Sequence, residues 1–163
     1  MAIYKKIEGD ELYLYMNGNL IYKRWLNTGQ SKVFDVMAYD KYTLSSIKDM
    51  AVGSDSEKYM YVKARIKLIA TEEGGRLSGI KSGYKPNHVF EQDEKGMFKS
   101  TFMGEVDIDD QKMLEPGEEK DVTVKFLLDL PIEEFLNIGR RWWLYDGSKL
   151  VGEGQITGIV ILK

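Results

Sequence analysis

Apolar and polar positions alternate along most of this chain. Leu12, Leu14 and Met16 are separated by Tyr13 and Tyr15, a period of two that predicts a strand with one buried face. Asn17-Gly18 interrupts, and Leu20 to Leu26 reads as the return strand. Asn-Gly between two such runs signals a hairpin, because a type I′ turn needs positive φ at both central positions. "SKVFDVMAY", Ser31 to Tyr39, predicts a third strand. "YTLSSIKDMAVG", Tyr42 to Gly53, predicts a short helix, and "GSDSE" after it a linker.

From Tyr59 the alternation sharpens. Val62, Ala64, Ile66 and Leu68 point one way and Lys63, Arg65 and Lys67 the other, giving one buried and one wet face. "MFKSTFMGEVDI", Met97 to Ile108, predicts a strand with a flexible middle. Val122, Val124, Phe126 and Leu128 repeat the alternation. "RRWWLYDGSKLVGEGQITGIVIL" predicts a hairpin turning at Asp146-Gly147, and one brief helical turn is expected over Ile132 to Asn137. Short strands separated by glycine turns indicate a mainly β chain, a sandwich or small barrel. The division expected is a small β-rich unit with a short helix over residues 1–57, then a second unit over residues 58–163.

Composition narrows the function classes. The net charge is −3, and the two parts carry 7 basic against 8 acidic residues and 16 against 18. Neither part attracts polyanions as a whole, so a nucleic-acid contact needs a local patch. There is no cysteine, which excludes disulfides, thiolate metal sites and a cysteine nucleophile. The start "MAIYKKIEGDEL" has no apolar run behind its lysines and does not read as a signal peptide. No stretch approaches the roughly 18 apolar residues of a membrane helix. A cytoplasmic protein without membrane contact is expected. Eight of the 19 aromatics fall before residue 58, so a small sheet with a tyrosine-rich face is expected to pack on something, the rest of this chain first.

Chemistry concentrates in "EEGGRLSGIKSGYKPNHVF", Glu72 to Phe90. Gly74 and Gly79 have the spacing of a phosphate loop, but Ile80 intervenes before Lys81-Ser82. Pro86 and β-prone residues follow where a helix should begin, so neither nucleotide nor other cofactor is expected. His88, the single histidine, stands at the start of a predicted strand and reads as a surface or core residue before a base. No serine lies in an elbow motif, which leaves a small hydrolase using His88 as the weakest reading. "DIDD" (Asp107 to Asp110) and "PGEE" (Pro116 to Glu119) are acidic turns without the alternating ligands of a calcium loop, so no metal is expected. Arg76, Lys81 and Lys85 surround Tyr84, a combination that suits a sugar-phosphate backbone and a stacked base.

The order of these blocks resembles a known family. Glu73-Gly74-Gly75-Arg76, Gly83-Tyr84-Lys85-Pro86, "GEVDI", "LEPGEEKDVTVKFLLDLPIEE" and the final hairpin with Val151-Gly152-Glu153-Gly154 follow one another over residues 59–163. They are similar to the third, C-terminal domain of bacterial elongation factor Tu, whose pattern is Glu-Gly-Gly-Arg, Gly-Tyr-Arg-Pro, Pro-Gly-Asp, a His-Pro-Ile segment and a hairpin ending Val-Gly-Ala-Gly. The resemblance implies a six-stranded antiparallel β-barrel without enzymatic activity. It also implies contact with the T stem of aminoacyl-tRNA, a GTPase domain and an exchange factor. Lys85 replaces the family's arginine and keeps the charge without the planar fork. Leu77 replaces a polar residue, and the hairpin's two arginines fall at Tyr145 and Lys149. Residues 1–57 resemble nothing in that factor.

Two binding functions are therefore expected to compete. One is RNA, tRNA above all, through Arg76, Lys81, Tyr84, Lys85, Tyr145 and Lys149. The other is a protein partner, as for an immunity-type or regulatory protein that mimics this domain. Acidic charge favours the second and the resemblance the first.

Overall fold

The computed structural model describes residues 2–44 and 58–161. The predicted linker and most of the helix expected over Tyr42 to Gly53 lie outside the described residues. The chain divides into two compact units, one drawn from Met1–Met60, Leu127–Ile138 and Ile161–Lys163, the other from Tyr61–Phe126 and Gly139–Val160.

The first unit is an antiparallel sheet of β1 (Ile3–Glu8), β2 (Glu11–Met16), β3 (Asn19–Trp25) and β4 (Ser31–Val33), paired in that order. Asn17 and Gly18 have φ of 51° and 84°, and Met16 pairs with Asn19 across them. This is the type I′ hairpin that Asn-Gly predicts. The third predicted strand is only partly right. Pairing stops at Val33, and helix α1 (Val36–Leu44) occupies the rest of that segment. Asp35 decides it, because its side chain accepts the Ala38 N–H at 3.0 Å and its carbonyl accepts that of Tyr39 at 3.0 Å. An aspartate in that position caps a helix.

Leu14, Met16, Ile21, Tyr22 and Tyr42 form this unit's core, and Tyr39 stacks on Tyr22 at 4.8 Å. Leu127–Ile138, which lies inside the 58–163 stretch, packs with this unit. Its helical turn, expected over Ile132 to Asn137, is a 3₁₀ turn at Glu133–Phe135. Lys5 and Glu133 form a fully buried ion pair, and Lys5 Nζ also donates to the Leu130 carbonyl at 2.8 Å. The Tyr42 hydroxyl lies 2.8 Å from the Glu133 carboxylate, and Arg24 Nε donates to the Leu136 carbonyl at 2.9 Å. Burying charge is tolerable here because each charged group is paired and hydrogen-bonded.

The second unit is built from β5 (Tyr59–Leu68), β6 (Asn87–Gln92), β7 (Phe98–Met103), β8 (Glu105–Ile108), β9 (Glu119–Leu127), β10 (Arg141–Asp146) and β11 (Lys149–Ile161). Their order is β7-β6-β10-β11-β5-β9-β8. The two ends of that order are halves of one run, separated only by Gly104. β7 pairs with β6 and β8 with β9, so the run changes partners at the glycine and curls the sheet toward a barrel. The bridge between Tyr84 and Val106 continues the register of His88 opposite Phe102. A Cβ on Gly104 would stand 2.6 Å from the Phe126 ring, so the crossing tolerates no side chain. The six predicted runs thus appear as seven strands. Val62, Ile66, Val124 and Phe126 all point inward, none more than 1% exposed.

Candidate partner-binding face

The loop between β5 and β6 begins with a 3₁₀ turn at Thr71–Glu73, closed by Gly74 in the left-handed region at φ 93°. Gly75 has a different reason to be glycine. A Cβ there would fall 2.0 Å from the Ile69 carbonyl oxygen, inside the backbone of the incoming strand. Bridges at Ile80–Leu114 and Tyr84–Val106 pin the rest of the loop to the barrel. No helix follows it, so the phosphate-loop geometry is not formed.

The loop meets the turn of the final hairpin. Arg76 pairs with Asp146 through Nη1, its guanidinium carbon lies 5.1 Å from the centre of the Tyr84 ring, and its Nε donates to the Ser78 carbonyl at 3.2 Å. The Tyr84 hydroxyl donates to the other oxygen of Asp146. Burial, and then the hydrogen bond to Asp146, push the Tyr84 phenol's pKa up, so it is a neutral donor. Lys149 Nζ donates to the Gly75 carbonyl at 3.1 Å. Arg76, Tyr84 and Lys149 therefore come together around a residue that sequence reasoning passed over. Asp146 was visible only as a turn former, and nothing local in the sequence placed it across from Arg76.

The other three expected residues lie apart from this knot. Lys81 is exposed, and Lys85, 64% exposed, reaches Glu105 only at 4.0 Å. Tyr145 neighbours Asp146 on a strand and so faces the other way. Its hydroxyl accepts from Gln92 Nε2 at 2.8 Å and its ring lies 4.6 Å from Phe98.

His88 is fully buried. Trp142 Nε1 donates to its Nδ1 at 3.1 Å, so its Nε2 carries the proton and donates to the Gly104 carbonyl at 2.9 Å. Burial lowers its pKa to about 4. Both nitrogens are engaged and neither faces solvent, which gives the hydrolase reading no base. Among the described residues no group of three or more His, Cys, Asp or Glu is arranged to hold a metal ion. No described helix is long and apolar enough to cross a membrane.

Residues 56–160 match the family described as the elongation factor Tu C-terminal domain. The chain belongs to that family. It is similar to elongation factor Tu 2 of Streptomyces avermitilis, 28% identical over 96 residues. That alignment covers 59% of this chain and 22% of the relative, so the chain spans about a fifth of the length of the curated protein it matches. An elongation factor Tu C-terminal domain is a non-catalytic module of a translation factor, and the curled antiparallel sheet described above is consistent with that fold. In this member the Gly-Tyr-Arg-Pro motif, here Gly83-Tyr84-Lys85-Pro86, has its tyrosine turned onto Asp146 and its basic residue turned to solvent.

Proposed function

We propose that this protein is a non-enzymatic, translation-associated binding module whose loop–hairpin face docks onto a protein. The observation that supports this reading is the placement of Asp146. Arg76 is neutralised by it, Tyr84 donates to it, and Lys149 is held by a backbone carbonyl. Of the four basic residues expected at this face, Lys81 and Lys85 remain turned outward, in a chain of net charge −3. A polyphosphate backbone is gripped by several free cations, each releasing counterions as it binds. A rigid, internally satisfied tyrosine–arginine knot instead suits a protein interface, where preorganised aromatic and arginine anchors dominate the energy.

A GTPase domain is the partner class to test first, since the resemblance implies one. Calorimetry compares the GTPase domain of a bacterial elongation factor Tu with aminoacyl-tRNA, each at about 50 and about 200 mM salt. Binding of the GTPase domain with weak salt dependence, reduced by Tyr84→Ala, supports the reading. Steeply salt-dependent tRNA binding that Lys81→Ala and Lys85→Ala abolish restores the RNA alternative.

A further inference from the structure

The outward face of the first unit's sheet is paved with aromatic rings and lysines in register. Lys6 of β1 stands opposite Tyr13 of β2, Tyr13 opposite Lys23 of β3, and Lys23 opposite Lys32 of β4. This single row crosses all four strands. On one side of it Tyr4 stands opposite Tyr15; on the other, Glu8 and Trp25 flank Glu11. Side chains alternate along a strand, so these positions lie on the face opposite Lys5, Leu12, Leu14 and Met16, which are buried.

Rings and ammonium groups are interleaved. Lys6 Nζ lies 5.3 Å from the centre of Tyr13 and 5.7 Å from that of Tyr15. Lys23 Nζ lies 4.5 Å from Trp25 and 5.3 Å from Tyr13. Tyr4 is 50% exposed, and Tyr13, Tyr15 and Trp25 are partly exposed. The expected tyrosine-rich cluster has therefore split in two. Tyr22, Tyr39 and Tyr42 serve the core side with α1, while these four rings face outward.

A wet sheet face needs only polar side chains. Partly exposed rings set between cations offer what a single-stranded polynucleotide uses, flat faces for its bases and positive charge for its phosphates. Tyr13 and Tyr15 are two residues apart on β2, about 7 Å, so each ring is available to a separate base of an extended strand. A duplex hides its base faces and gains nothing from the rings. Charge agrees: Lys6, Lys23 and Lys32 outnumber Glu8 and Glu11 on this face, although the chain is acidic overall.

We propose that this face binds single-stranded nucleic acid, with bases on Tyr13, Tyr15 and Trp25 and phosphates against Lys6, Lys23 and Lys32. Glu8 and Glu11 are the competing anions. Glu8 holds Lys6 at 2.9 Å, Glu11 holds Lys23 at 3.1 Å and accepts the Tyr13 hydroxyl, and phosphates must take their places.

The test is fluorescence anisotropy on the full chain with labelled oligo-U and oligo-dT of about 12 nucleotides and a duplex of equal length. Both single strands, or one of the two, bind in preference to the duplex. Tyr13→Leu and Tyr15→Leu keep apolar bulk but lose the π face, and each lowers affinity about tenfold. Combined Lys6→Ala and Lys23→Ala reduces the slope of log affinity against log salt by about two. Glu11→Gln raises affinity. Lys81→Ala and Lys85→Ala, on the second unit, change nothing, which separates this site from the loop–hairpin face. Circular dichroism confirms that each variant is folded. No binding of either oligonucleotide, as a protein partner on this face would give, overturns the proposal. So does equal affinity for the duplex, or binding that survives the tyrosine variants and is lost with the loop lysines.

Discussion

Trp142 donates its indole N–H to Nδ1 of His88, inside the barrel and 3.1 Å away. The bond requires an unprotonated Nδ1. A second proton on the imidazole, at Nδ1, would point a donor at the Trp142 donor, at a fully buried position.

Stability therefore depends on pH in a definite direction. His88 has a pKa of about 4 when folded, against 6.5 for an ordinary histidine. Between those values the unfolded chain binds the extra proton, so stability is complete above pH 6.5 and falls as pH drops toward 4. Over that window this one group removes about 3 kcal/mol. As the only histidine, His88 gives one unambiguous imidazole signal. An NMR titration of the folded protein should show it unchanged from pH 7 to 5. A midpoint near 6.5 would contradict the buried arrangement.

Lys5 and Glu133 hold Leu127–Ile138 in the first unit by a pair that is buried on both sides. Glu133→Gln leaves a buried ammonium without its counter-charge and should lower unfolding free energy by about 3 to 5 kcal/mol. Lys5→Met combined with Glu133→Gln should recover part of that loss, because neither partner is then charged. Urea unfolding of the single and double variants measures the coupling.

Gly104 sits where one run changes partners. Its missing side chain is occupied by the Phe126 ring, 2.6 Å from a Cβ, with His88 Nε2 at 3.1 Å. Gly104→Ala should destabilise by about 1 to 3 kcal/mol, an overpacking effect. Adding Phe126→Leu, which removes the obstructing ring edge, should make the alanine nearly harmless by the same denaturation assay. An equal cost in both backgrounds would mean that the crossing depends on backbone freedom instead.

Asp146 keeps Arg76 from acting as a free cation. Asp146→Asn should release it, leaving three outward cations at this face where there were two. Weak binding of tRNA should then rise, with a salt slope steeper by about one. An unchanged slope would show that Arg76 remains held by Tyr84 and Ser78 alone.

Most strands, the first hairpin turn and the family are legible in the order of residues alone. Alternation at Val62 to Leu68 and Val122 to Phe126 set the buried face, because a strand's period of two leaves only one choice once one set is apolar. Asn17-Gly18 set the first hairpin through two positive φ angles. Glycine and proline motifs in order named the barrel. The run to Tyr39 reads as strand in sequence because Asp35 is one capping residue against β-prone neighbours, and its hydrogen bonds appear only in three dimensions. Which charges are free depends on contacts made across the fold. Arg76 and Asp146 are 70 residues apart, and Lys5 and Glu133 further still. Local pattern carries no information about such pairs, since a charge reads the same in sequence whether it is solvated or spent on a distant partner. The same holds for the eight early aromatics. Composition counted them, but strand register sorted them into a core and an open face.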